Sequence, residues 1–565
     1  MPDRFRHLCL RFAAVFLILW TPFFSFSAYR GHPVPIGSLV YSASLFAIPA
    51  FLLALLAGHE RRYRYVGVFS ALVLIFLDVQ FSWMQGLPAV VALLAVVAAF
   101  WALRGNLALI LTTIFATMLA STMLTPSRGY EDNTLVVNQE VQARPLAAPD
   151  SRAPANETFI HIILDEFIGV EGIPEEVEGA RTLKRQISRF FEKHGFTLYP
   201  NAYSEYALSK HSISSILNFE ATTEPHTNFK SKRPYILLGN RSFEALAKRY
   251  SALHVTQSTY MDFCQESPIP IASCFTYRFD GSEWLRTAAL DDTDKLNILF
   301  GMYFNLPGFF ELVRKGYVRV RDAAEGVGIA LPAGIIWDGR VTPIASINAF
   351  DHFRKTVLDS DPGTAHFGHI DLPHGPYVFD ASCNLTGNPF GWLSHRPLHG
   401  RENTTEGRRI RYEQYFDQIR CTMTRLDRFF GELKANGKWR HATILIHGDH
   451  GSRLYKTRVL GRNQERLTRA DLMDGFSALF AVRRSTGAAR DPFRRSGRPR
   501  PERRPISQLL AEAMGENLPE AETNRPPRVF LEDEKTWFAL PWNPETMRTT
   551  PSEAAPASLS GEETP

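Results

Sequence analysis

Five apolar runs crowd the first 125 residues: Leu8–Ala28, Ile36–Ala57, Val66–Trp83, Pro88–Leu103 and Leu107–Leu124. Each approaches the length a helix needs to cross a hydrocarbon core, the fourth being the shortest. The pattern changes after Asn156. Phe159-Ile160-His161-Ile162-Ile163-Leu164 is almost wholly apolar and stops at Asp165-Glu166, and Ala442–Ile446 runs into His447-Gly448-Asp449-His450-Gly451. Strands buried on both faces of a parallel sheet have this form. Two stretches have helical spacing instead: Arg181–His194, through Leu183, Ile187, Phe190 and Phe191, and Tyr412–Asn436, through Tyr415, Ile419, Met423, Leu426, Phe430 and Leu433. The alternation predicts an α/β domain with a central, mostly parallel sheet, placed after a helical membrane domain. The expected layout is a transmembrane domain over 1–125, a Pro/Ala/Asn/Arg-rich tether over 126–156, the α/β domain over 157–545 and a disordered tail over 546–565. The aromatic-rich stretch Ile298–Val320 suits either the bilayer surface or a protein core.

Charge gives the apolar runs a direction. Arg4, Arg6 and Arg11 lie at the start of the first, Arg61, Arg62 and Arg64 between the second and third, and Arg104 between the fourth and fifth, while the opposite loops hold only Arg30. The positive-inside rule then sets the N-terminus in the cytoplasm, and five spans carry everything after about Thr125 to the outer face. A cleavable leader would explain only the first run. The expected location is a bacterial cytoplasmic membrane, multi-pass, with the α/β domain outside or periplasmic. Cys264, Cys274, Cys383 and Cys421 all fall in that outer part, where disulfides are permitted. The most local pairing is Cys264–Cys274 with Cys383–Cys421, although four cysteines allow three connectivities and four free thiols are the alternative. A net charge of +5 with 21% charged residues gives no footprint for nucleic acid. Nine arginines between Arg483 and Arg504, within a loop taken as 483–505, read as a solvated segment that could touch anionic headgroups.

The chemistry gathers at strand ends. Asp449 and His450 offer a carboxylate oxygen and an imidazole nitrogen suited to Zn, Mn or Mg, though Gly-Asp-His-Gly also suits a plain tight turn. Asp165 presents another carboxylate at the end of its strand. Ser209-Lys210-His211-Ser212 stands where a hydroxyl-rich loop enters a short helix. A hydroxyl there serves as an N-cap or, at a site that attracts anions, as an activated nucleophile. In His366-Phe367-Gly368-His369-Ile370-Asp371-Leu372-Pro373-His374-Gly375-Pro376-Tyr377 a strand is stopped by Pro and Gly. His374 is mounted on the constrained turn, and His369 and Asp371 share one strand face.

The order of these pieces resembles the alkaline phosphatase superfamily. More narrowly it is similar to the membrane-anchored sulfatase-like transferases, which include lipoteichoic acid synthases and lipid A phosphoethanolamine transferases. The resemblance implies a metal held by Asp165, Ser209, Asp449 and His450, with Ser209 as nucleophile. It also implies a substrate-binding or acid role for His374, with Ser212, Lys210 and His211 beside the substrate. Glu166, His369 and His447 are further candidates. One divalent ion is implied (Mn, Zn or Mg, or Ca in a sulfatase), and a second is left open. Counting from Ser209, His211 and Ile213 occupy the places of the Pro and Arg that a formylglycine sulfatase requires, which argues against that chemistry.

The expected function is transfer of a phosphoethanolamine or phosphoglycerol headgroup from a membrane phospholipid to an envelope glycan or lipid, through a phosphoserine. A phosphodiesterase or sulfatase of the same fold, which uses water as acceptor, is the first alternative. An inactive module that binds an envelope polymer is the second. The oligomeric state is not legible.

Overall fold

The computed structural model describes residues 2–29, 36–58, 62–81, 86–124, 136–139, 157–220, 228–386 apart from 231, 268 and stretches within 279–341, and then 392, 405–486, 503–533 and 536–543. The expected tail, most of the tether and the middle of the arginine-rich loop lie outside these residues. Two compact units result. One comprises Met1–Val136, Asp280–Ile344 and Asn384–Leu393, the other Val137–Phe279, Ala345–Cys383 and Ser394–Pro565.

In the first unit the five apolar runs are helices: α1 (Pro2–Tyr29), α2 (Ile36–Leu56), α3 (Arg62–Phe81), α4 (Gly86–Ala102) and α5 (Leu107–Leu124). Among the described residues, Phe5–Ala28, Gly37–Leu56 and Leu107–Leu124 are long and apolar enough to cross a membrane. The five expected spans are thus met by three on length and composition. Helix α4 has only 17 residues, and α3 carries Arg62, Arg64 and Asp78. Small residues let the helices approach, with Ala14, Val15 and Ile18 meeting Ala50, Phe69, Leu111 and Phe115. Helix α8 (Asp292–Phe304) belongs to this unit. Its Phe300 ring stacks on Phe23 at 4.1 Å, and Tyr303 meets the same ring edge-on at 5.5 Å. The described start of the aromatic-rich stretch therefore packs on the apolar helices. Further on, Gly308 (φ 91°) lets the backbone lie against the Asp78 carboxylate, where a Cβ would come within 2.2 Å of an oxygen.

The second unit is built on an eight-stranded sheet. Its strands are β1 (Val136–Gln139), β2 (Thr158–Leu164), β3 (Thr197–Leu198), β4 (Ala252–Ser258), β5 (Ser273–Tyr277), β6 (Thr364–Ile370), β7 (Ala442–Gly448) and β8 (Phe480–Arg483). They are ordered β1-β5-β4-β6-β2-β7-β8-β3. The run from β5 to β7 is parallel, and β8 and β3 close one side antiparallel. Strand β1 falls within the expected tether, so that segment is not wholly irregular. Strands β2, β6 and β7 are buried along their whole length, as near-continuous apolar runs require.

Helices α6 (Ala180–Lys193), α7 (Ser209–Asn218), α9 (Thr342–Asp359), α10 (Thr405–Ala435), α11 (Arg469–Phe476) and α12 (Ile506–Met514) accompany the sheet. Helix α10 buries the expected stripe of Tyr415, Ile419, Met423, Leu426, Phe430 and Leu433, yet begins seven residues before Tyr412. The extension carries Arg408, whose buried guanidinium pairs with Asp474 at 2.7 Å. Ion pairing across the fold, rather than local periodicity, accounts for that first turn. Disulfides join Cys264 to Cys274 and Cys383 to Cys421, the most local of the possible pairings. Around the arginine-rich loop, Arg503 and Arg504 pair with Glu171 and Glu512 at 2.7 and 2.6 Å, so its described end is held by acids.

Candidate active site at the strand ends

Register decides which residues meet. Leu164 at the end of β2 pairs with Gly448 of β7 on one side and Ile370 of β6 on the other. The next residues along these parallel strands are Asp165, Asp449 and Asp371, so three aspartates emerge side by side at the C-terminal edge of the sheet. Open α/β sheets bind ligands at this edge. Strand β7 can turn there because Gly448 and Gly451 lack side chains: a Cβ on either would come within 2.3 Å of a backbone oxygen, of Phe167 or of Asp474.

Asp165, Asp449 and His450 bring three donor atoms within 4.8 Å of one another, all on buried residues. The His450 Nδ1–H donates to the Gly451 carbonyl at 2.9 Å, which leaves the Nε2 lone pair facing the cluster. Asp449 Oδ1 accepts from the backbone N–H groups of Glu166 (3.0 Å) and His450 (2.9 Å). Its Oδ2 is buried without a hydrogen-bond partner among the described residues. Ser209, the first residue of α7, puts its Oγ 3.1 Å from His450 Nε2 and 3.5 Å from Asp165 Oδ1. An orphaned carboxylate oxygen, an inward nitrogen lone pair and a hydroxyl fit the donor set of a Zn or Mn ion.

The electrostatics agree with the geometry. Burial, then the charges of Asp449, Asp371 and Glu166, push the Asp165 carboxyl well above its usual range. Asp449 is also opposed by burial, but His450, the Glu166 N–H, His369 and Arg453 together hold it below the ordinary value. So many carboxylates at one buried edge are stable in ionised form only beside a cation.

Ser212 lies one helical turn behind Ser209. Its hydroxyl donates to the Asp449 carbonyl and lies 2.7 Å from Ser204 Oγ, which ties α7 to the metal-type turn. Lys210 and His211 lead away from the cluster. The Lys210 ammonium lies over the rings of Tyr235 (5.1 Å) and Phe229 (5.8 Å), and His211 packs against Trp537 at 4.6 Å. Glu166 does not face the cluster either. It has left-handed backbone (φ 63°), and its carboxylate accepts from Arg453 Nε at 2.7 Å. His374 Nε2 is 3.2 Å from Arg453 Nη2 and 3.6 Å from Glu166 Oε1. His447 turns into the sheet, where its Nε2 meets His161 Nε2 at 2.8 Å, and so stands apart from the metal-type donors. His369 joins Asp165 and Asp371 in a second group of three donors within 4.8 Å.

Two contributors escape the sequence reading. Arg453, also left-handed (φ 55°), is buried between Glu166 and His374. It lies three residues after His450, and its charge alone could have drawn notice. Gln418 of α10 donates to the carbonyls of Pro373 (3.1 Å) and His374 (2.8 Å) and accepts from the Val378 N–H (2.9 Å). It thereby fixes the turn that carries His374. Nothing in its sequence neighbourhood marks it.

No family model matches the chain, and no curated protein matches it. Solved structures do. The chain is similar to the C-terminal periplasmic domain of EcEptC from Escherichia coli, at 13% identity over 72% of this chain and 97% of that one, with a TM-score of 0.40. It is also similar to the phosphonate monoester hydrolase of Agrobacterium radiobacter (12% identity, 66% and 80% covered, TM-score 0.38). A third is the phosphonate monoester hydrolase SpPMH from Silicibacter pomeroyi (15% identity, 65% and 75% covered, TM-score 0.36).

Proposed function

We propose that this chain is a membrane-anchored, metal-dependent transferase of the alkaline phosphatase superfamily. It moves a phosphoethanolamine or phosphoglycerol headgroup from a phospholipid to an envelope glycan or lipid. The observation that carries the reading is the Ser209 hydroxyl at the head of α7, 3.1 Å from His450 Nε2 and 3.5 Å from Asp165 Oδ1. A nucleophile, two metal-type side chains and a helix N-terminus that favours phosphoryl oxygens converge there.

Asp165, Asp449, His450 and Ser209 would hold the divalent ion. When bound, it lowers the pKa of the serine hydroxyl and polarises a phosphoryl oxygen. Ser209 Oγ forms a bond to phosphorus as the bond to the lipid alcohol breaks, and the departing diacylglycerol oxygen takes a proton. His374, held by Gln418 and beside Arg453, is the group assigned to deliver it or to bind phosphoryl oxygens. The acceptor hydroxyl then attacks phosphorus, the bond to Ser209 breaks, and the serine regains its proton. Glu166 serves this account by fixing Arg453.

The arginine bias around the apolar helices supports a cytoplasmic N-terminus, with the second unit on the outer face of a bacterial membrane. The two disulfides fit an oxidising compartment. In the first unit, the ring contacts of α8 with Phe23 lie toward the C-terminal end of α1, which in this topology is the level of the outer headgroups. The test is incubation of the full chain with vesicles of phosphatidylethanolamine or phosphatidylglycerol, followed by peptide mass spectrometry. Diacylglycerol release and a headgroup-phosphate adduct on the peptide containing Ser209 are expected. Normal turnover by Ser209→Ala, or an adduct on Ser212, refutes the assignment. Headgroup phosphate passing only to water would make the chain a hydrolase instead.

A further inference from the structure

Helix α10 hides polar side chains where the core face of a helix is ordinarily apolar. Arg408, Tyr412, Tyr415 and Gln418 follow one another at helical spacing, and all four are buried. Burying such groups is costly unless each is bonded. Each is, and the bonds lead to the three loops that carry Glu166, His374 and Arg453.

Arg408 Nε donates to the Leu454 carbonyl at 3.0 Å, and its Nη2 donates to Asp474 Oδ2 at 2.7 Å. Tyr412 donates to the other oxygen of Asp474, and its hydroxyl lies 2.9 Å from Ser452 Oγ. The Asp474 carbonyl in turn accepts the Arg453 N–H at 2.8 Å. Ser452, Arg453 and Leu454 are thus gripped in succession. Further along the helix, Tyr415 donates to the Glu166 carbonyl and accepts from the Ile168 N–H at 3.0 Å. Gln418 then holds the Pro373 and His374 carbonyls and the Val378 N–H. Glu166 and Arg453 have left-handed backbone, which residues other than glycine keep only where their surroundings impose it. Tyr415 and Asp474 supply the bonds that do so.

The side chains held in this way meet one another. Glu166 accepts from Arg453 Nε at 2.7 Å, and Arg453 Nη2 lies 3.2 Å from His374 Nε2. We propose that the buried polar row of α10, with Asp474 as its relay to Arg453, is a positioning plate that sets Glu166, Arg453 and His374 as one unit for the transfer step. Its members act through that trio and not on the substrate. The inference rests on the role given to His374 above, and the experiment separates the two.

Tyr415→Phe and Gln418→Leu are made alone and in a His374→Ala background, and diacylglycerol release from phosphatidylethanolamine or phosphatidylglycerol vesicles is followed with the full chain. In the otherwise native chain each should lower kcat by about tenfold to a hundredfold with KM nearly unchanged, as for a misplaced catalytic group. In the His374→Ala background the same changes should cost less than about twofold, because the group they position is gone. A readout independent of turnover is the rate at which diethyl pyrocarbonate modifies His374, measured by peptide mass spectrometry. It should rise several-fold in Gln418→Leu, and Gln418→Glu, which keeps the shape but cannot donate, should do the same if the leucine variant does not fold. Equal losses in both backgrounds mean ordinary damage to the fold and overturn the proposal, as do unchanged kcat and unchanged labelling. If the wild type releases no diacylglycerol, or His374→Ala turns over normally, the functional reading fails and labelling alone decides: a raised rate keeps the positioning role, and an unchanged one removes it.

Discussion

Strands β2, β6 and β7 are buried along their whole length, but the polar groups at their two ends are satisfied very differently. At the N-terminal end polar groups bond one another. Thr443 and Ser485 donate to Glu157, Arg483 donates to the Ala442 carbonyl at 2.8 Å, and the Lys438 ammonium is taken up by the carbonyls of Val357 and Leu358 at 3.0 and 2.7 Å. At the C-terminal end, Asp449 Oδ2, Asp371 Oδ1 and both nitrogens of His369 have no such partner among the described residues. Glu157 and Lys438 at the first end also keep partial access to water, whereas the groups at the second are enclosed and bear the full cost of a missing partner. The first end is a closed protein structure, and the second is shaped for something the polypeptide does not supply.

The largest effects should come from the open end. Asp449→Asn or His450→Ala removes a donor for which the site has no substitute, and should lower turnover on the order of a thousandfold together with metal retention. Metal content and headgroup transfer, measured on the same preparation, check this. Unchanged values for both would reduce Gly448–Gly451 to a mere turn.

The Arg453–Glu166 pair should come next. Arg453→Met leaves Glu166 buried without its counter-charge and should cost about 3–5 kcal/mol of stability in denaturant unfolding. Glu166→Gln in the same chain should recover much of that loss but not the activity, because His374 still lacks its neighbour. If the double variant is no more stable than the single one, the pair is not acting as a unit.

Ser212→Ala tests the link between α7 and the Asp449 carbonyl. It should slow transfer by about tenfold to a thousandfold, as for a lost positioning donor, with metal content nearly unchanged. Loss of all activity together with the adduct would exchange the roles of Ser212 and Ser209.

Toward the closed end, His366 stacks on His254 at 4.9 Å and lies near Lys438. Burial, then these two neighbours, hold its pKa well below the usual 6.5. The folded chain therefore keeps His366 neutral while the unfolded chain takes up a proton, so stability is present above about pH 6.5 and falls on acidification. The slope from this residue is at most about 1.4 kcal/mol per pH unit. Denaturant midpoints at pH 7.5 and pH 5 should lie closer together in His366→Leu than in the wild type. An equal spread would show that the ring is already charged in the folded state.

The smallest effect closes the comparison. Thr443→Val removes one hydroxyl from the satisfied end and should cost about 1 kcal/mol with transfer unaltered. A large loss of activity there would mean that the two ends are coupled.

The sequence by itself determined the features that depend on neighbouring residues. Continuous apolar runs gave the buried strands and the N-terminal helices, and a 3.6-residue stripe gave α10. The ends of two runs marked Asp165 and Asp449 as strand-end carboxylates, and nearness in sequence favoured the disulfide pairings. Partnership across the fold was decided only by tertiary structure. The pairing of Leu164 with both Ile370 and Gly448 is a matter of register, and it brings Asp165 beside two aspartates that each lie more than two hundred positions further along the chain. Adjacent Asp165 and Glu166 look alike in the sequence, yet left-handed backbone at Glu166 sends its carboxylate to Arg453. His369 and His447 both precede strand-end aspartates by two residues. One enters the second donor group and the other pairs with His161, because what faces a strand residue is set by the neighbouring strands and not by its own sequence.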